Sequence, residues 1–210
     1  MFGNHTIFVA DIATTIGGAG VVLALVLAIV CFWTVVVYNG LRRKQVRARN
    51  AFSQIDVQLK RRHDLIPNLV ETVKGYMTHE RETLEAVVKA RAQASGALGA
   101  VEGGAMGIAS MSALANASGA LDSAIGRLMG LIERYPDLKA SESTLRLQEE
   151  LASTENRIAF ARQAFNDAVM RLNESIVVFP ASIVARVFGI REMGLFEAES
   201  DARANVAVKF

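Results

Sequence analysis

The chain has 210 residues, 51% of them hydrophobic, with 23 Lys or Arg against 21 Asp or Glu and a formal net charge of +2. The small net charge conceals a basic run at 42–49, but no aromatic stacking residues are interleaved in it and no recognised binding motif follows, which argues against nucleic acid as a partner. Cys31, the one cysteine, excludes an intrachain disulfide. The length suits a membrane anchor followed by one domain with its own core.

Residues 12–41 contain no Asp, Glu, Lys, Arg or His. About 20 apolar residues in a helix cross a hydrocarbon core roughly 30 Å thick, so the sequence divides into a short tail (1–15), a membrane helix (16–40), a helical domain (41–199) and a C-terminal tail (200–210). Trp33 and Tyr38 stand toward the exit of the span, where amphipathic rings favour the headgroups. Ala13, Gly17, Gly20, Ala24 and Ala28 follow at steps of three and four, a small-residue seam along which a second membrane helix can approach closely. Arg42, Arg43, Lys44, Arg47 and Arg49 come directly after the span, whereas Asp11 is the sole charged residue before it. This asymmetry predicts a single-pass protein of the inner membrane with its N-terminus outside and its domain cytoplasmic, the five basic residues lying against lipid headgroups.

Beyond the anchor, prolines are few and alanine, leucine, glutamate and arginine are abundant, a composition that reads as nearly all helix. From Phe52 to Val87 apolar residues recur at steps of three and four, interrupted by Arg62 and Glu80; the spacing predicts one long helix to about Ala92, kinked or broken at Pro67. The Ala/Gly/Ser-rich stretch to about Gly107 reads as the turn that follows. A second seam from Met111 to Tyr135 includes Ser118, whose hydroxyl is expected to bond back to the preceding turn. A third runs from Leu147 to Phe179, and a short helix follows Pro180. The expected fold is all-α: a transmembrane helix, then an elongated antiparallel bundle of three to four helices.

The blocks Gln54–Arg62, Asp64–Val70 and Val73–Tyr76, together with Tyr135–Ala140, Leu147–Leu151, Thr154–Arg162 and Phe165–Asn166, resemble the LemA family. The resemblance covers about Tyr38 to Glu199. It implies a single-pass bacterial membrane protein with a helical bundle, and a membrane zinc protease or a TPM-domain protein as the kind of partner. It implies no reaction.

The residues themselves point away from catalysis. None of His5, His63 and His79 has a glutamate three residues before it, as a di-iron bundle needs, and His79-Glu80 lacks the second histidine of a zincin. No phosphate-binding glycine motif occurs. The expectation is therefore a protein without enzymatic activity, metal or cofactor. Polar residues crowd two of the helical blocks: Asp56, Gln58, Arg61 and Asn68 on one, and Glu150, Glu155, Asn156, Arg157, Arg162 and Asn166 on the other. They are the candidates for a polar network between the first and last long helices. The functional expectation is a self-associating, membrane-anchored scaffold or adaptor that contacts lipids and presents its bundle to partners. The alternative is an envelope- or lipid-stress sensor whose segment 95–119 moves or touches the membrane.

Overall fold

One helix, α1 (Gly3–Lys74), carries both the apolar span and the first seam of the bundle. At about 1.5 Å per residue its 72 residues extend about 108 Å. The structure, a computed structural model, describes residues 3–77, 79–104 and 106–197, with side chains from Gly20 onward. Ala13 and Gly17 of the small-residue seam therefore lie outside the described side chains, as does the tail 200–210 outside the described residues. Over Val21–Phe32 every side chain is exposed, and this part of α1 is long and apolar enough to cross a membrane. Gly40 lies inside α1, so the helix enters the bundle unbroken.

The first seam is not one helix to Ala92. Chain reversal occurs at 75–80, where Tyr76 is exposed, Glu80 leaves the core, and Met77 folds back beneath the bundle with its amide bonded to Val73 O at 3.1 Å. Glu80 interrupts the apolar spacing because it begins a new helix, α2 (Arg81–Glu102), which runs antiparallel to α1. The Ala/Gly/Ser-rich stretch is correspondingly helical through Glu102: Ala94, Leu98 and Val101 continue the core spacing, while Ser95, Gly96, Gly99 and Ala100 face water. Buried apolar contacts supply the stability that glycine and serine withhold. Only the turn after Glu102 separates α2 from α3 (Ile108–Ile132).

A single turn, α4 (Pro136–Lys139), leads into α5 (Glu142–Val177), and α6 (Ala181–Val187) follows at 96° to α5. Thus α1, α2, α3 and α5 form an antiparallel four-helix bundle, with no β-strand among the described residues. Two cores stack along it. The end farthest from the span is filled by Ile66, Leu69, Val73, Val87, Leu121, Leu128 and Ile132. The nearer core holds Phe52, Ile55, Leu59, Leu114, Phe165, Val169 and Leu172.

Within that nearer half α2 and α3 come to their ends, and the chain after α6 takes their place. Met193 and Phe196 insert between α5 and the start of α3. Gly194 passes so close that a Cβ there would stand 2.7 Å from Ile108 Cα, and its amide donates to Met106 O at 3.1 Å. Ser118, buried on α3, has a hydroxyl with no hydrogen-bond partner among the described residues, rather than the expected bond to the preceding turn.

Candidate functional site

Among the described residues Arg62 is the largest side chain almost wholly withdrawn from solvent, at 2% exposure. It stands on the core face of α1 between Leu59 and Ile66, which is why it breaks the apolar spacing. Its Nη1 donates to Asp122 of α3 and, at 3.0 Å, to Glu155 of α5. One cation from the first helix thus links the third and the fifth. Nε and Nη2 have no partner among the described residues. Beside this cluster a groove of roughly 670 Å³ opens between α3 and α5, bounded by Ile125, Met129 and Leu151 as well as the three charged residues. Gly126 and Gly130 line its α3 wall without side chains and so keep it open. Burial raises the Asp122 carboxyl above its ordinary pKa, Arg62 pulling the other way.

Lys60 forms a second link, between Asp56 at 3.1 Å and Glu102 at the end of α2. Lys60 and Asp56 hold the Glu102 carboxyl below its usual range, whereas burial, with Glu102 adding to it, pushes Asp56 up. The pair Arg61–Glu150 is looser, at 3.7 Å, with both side chains substantially exposed. Exposed pairs of that kind contribute at most about 1 kcal/mol.

Pro67 removes the amide that would bond to the carbonyl of residue 63, yet α1 neither breaks nor ends there. The reason lies on α2: Arg91 Nε donates to His63 O at 2.6 Å. A neighbouring helix satisfies the carbonyl that proline frees, so the sequence-based break at Pro67 does not form. Arg91→Met should therefore cost about 1–2 kcal/mol, the usual penalty for stranding a buried acceptor. In a Pro67→Ala background the same change should cost much less, because the alanine brings its own amide; urea denaturation of the four proteins measures the coupling.

Of the remaining sequence candidates, Gln58 is half-buried with Oε1 unpartnered among the described residues, while Asn68, Asn156 and Arg157 face solvent and join no bond between helices among those residues. Arg162 and Asn166 are engaged, but with the C-terminal strap, residues 190–197, instead of with α1. Asn166 accepts from Phe196 N at 2.8 Å, and Arg162 covers the Phe196 ring at 4.9 Å. One heptad on, Asn173 repeats the device at the backbone of Met193, donating to its carbonyl at 2.8 Å and accepting from its amide at 3.0 Å. Each asparagine amide offers an extended segment both a donor and an acceptor, as a neighbouring strand would. Sequence reasoning misses Asn173, Asp122, Arg91 and the burial of His63; only the heptad step from Asn166 to Asn173 is a signal that could have found one of them.

At the membrane end Gly20, Ala24 and Ala28 are exposed, as are Arg42, Arg43, Arg47 and Arg49. Lys44 departs from the expected headgroup set: it is half-buried and donates to Ser175 of α5. No group of acidic, histidine or cysteine side chains among the described residues is arranged to hold a metal ion.

The LemA family model matches residues 51–210. The chain is also 27% identical over 187 residues to Protein LemA of Metamycoplasma hominis, an alignment covering 88% of this chain and 81% of the relative. The chain belongs to the LemA family.

Proposed function

We propose that this LemA-family protein is a membrane-anchored helical scaffold that self-associates through its span and presents its bundle to partners, without catalysing a reaction. The observation that carries this reading is the continuity of α1, which is at once the apolar span and the helix against which α5 packs along the bundle. Association in the bilayer is therefore passed to the bundle through rigid backbone, with no linker to absorb it. The exposed arginines after the span support a cytoplasmic position for the bundle at the inner membrane. The open groove between α3 and α5 offers a partner surface with apolar walls and a charged floor.

Cys31 stands one heptad beyond Ala24, on the same face of α1 as Ala28, and is exposed. Thiol oxidation in native membranes should join two chains through Cys31. Moving the thiol to the other face, with Cys31→Ser and Ile29→Cys, should abolish the product. Failure of Cys31 to cross-link, together with a monomer in detergent, overturns self-association. Capture of a membrane protease or a TPM-domain protein by cross-linkers placed at the groove would identify the partner. Against the sensor alternative stands the position of segment 95–119: it is folded into α2 and α3, and its turn meets α1 near Lys60, about 28 Å along the helix from Leu41.

A further inference from the structure

We propose that the segment Val177–Phe188 is a second membrane contact, an interfacial foot beside the exit of the span; the proposal rests on α1 crossing the bilayer. Along the bundle α5 returns toward the membrane, with Lys44 of α1 bonded to Ser175. Three residues farther on, Val178 lies beside Val37, Gly40 and Leu41. The chain then bends through 96°, which turns α6 across the long axis of the bundle and so along the membrane surface.

Two faces of this segment have different fates. Val184 and Ala185 pack inward with Ile190 on Leu41. Val177, Val178, Phe179, Ile183, Val187 and Phe188 are exposed, Phe179 to 76%. An aromatic pair indicates the depth: the Phe188 ring lies 4.7 Å from that of Tyr38, which stands toward the exit of the span. From Ser175 to Arg191 there is no acidic residue, and Arg186 and Arg191 are exposed at the edge of the apolar patch. Arg42, Arg43 and Arg47 group together on α1 just past the span, and the Arg42 guanidinium lies 5.4 Å from the centroid of the same Tyr38 ring. An apolar face at headgroup depth, edged by arginines, has the chemistry of a helix lying in the bilayer interface, and continuity with the span selects lipid as its occupant over a protein.

Full-length protein in phosphatidylcholine–phosphatidylglycerol vesicles with brominated acyl chains tests this by tryptophan quenching. Native Trp33, the sole tryptophan, reports the span. Phe179→Trp and Phe160→Trp, each with Trp33→Phe, report the foot and an exposed point about 26 Å up α5 from its end at Val177. Trp at position 179 should emit at shorter wavelength than Trp at position 160 and lose most of its intensity to the bromines, while position 160 is unaffected. If Trp33 is quenched and position 179 is not, the foot is wrong and the anchor stands; an unquenched Trp33 removes the anchor itself. A blue-shifted but unquenched position 179 means that protein covers the face, and quenching at both positions means that the bundle lies flat. Each of these overturns the proposal.

Discussion

Converting both Asp122 and Glu155 to their amides should lower the stability of the bundle by about 3 kcal/mol or more, whereas Arg62→Met should change it by less than about 1 kcal/mol. The asymmetry follows from where each charge sits. Arg62 is 2% exposed, while the side chains of Asp122 and Glu155 keep 38% and 47% of their surface. A guanidinium cannot shed its proton in a protein, so loss of both counter-charges strands a buried cation that has two unpartnered nitrogens already. Loss of the cation instead leaves two carboxylates that reach water, and methionine restores much of the apolar stem. Burial already outweighs the attraction of Arg62 at Asp122, so the ionised Asp122 carboxylate is not favoured by folding. The contribution of the cluster is to alignment: one residue of α1 must meet one of α3 and one of α5 together. Urea denaturation in detergent, followed by helical circular dichroism, compares the variants, and hydrogen exchange along α3 reads alignment separately. A loss from Arg62→Met as large as that from the double amide would mean that the ion pair itself holds the bundle together.

The interruptions in the apolar spacing are more informative than the spacing. Leu59, Ile66, Leu69 and Val73 identify a core face but are compatible with one long helix or with a hairpin. Glu80 marks the hairpin and Arg62 the buried cation, yet a lone charge in an apolar seam has the same appearance in both cases. Which applies depends on the helix opposite: Asp122 and Glu155 face Arg62, and Tyr135 lies near Glu80 only after the chain has folded. Pro67 shows the same dependence, since the bond that preserves its helix comes from Arg91, in a helix whose separate existence the sequence does not disclose. The span and the all-helical bundle depend on periodicity and hydropathy within single segments, and these are legible. The clamp on the C-terminal strap is not, because asparagines on a helix face ordinarily suggest only solvent.

Acid should remove up to about 3 kcal/mol of stability through one residue, His63. Its side chain is buried on α1, Nε2 has no partner among the described residues, and its pKa is lowered from 6.5 to about 4. Burial is the main cause; the charges of Arg62 and Arg91 add to it and Asp64 opposes it. The folded chain therefore keeps this imidazole neutral where the unfolded chain protonates it. Stability from this group is complete above pH 6.5 and is lost as pH falls from 6.5 to about 4. Asp122 and Asp56, whose carboxyls are raised, act in the opposite sense: what they contribute is greatest below their unfolded pKa and fades as pH rises through the folded value. The quantity to measure is thus the difference between the wild type and His63→Leu across this range. Leucine fills much of the same volume, leaves no unpartnered nitrogen and does not titrate, so the variant should escape the acid-induced loss. Parallel profiles for the two proteins would mean that His63 titrates near its ordinary value, and hence that water reaches it where α1 and α2 meet.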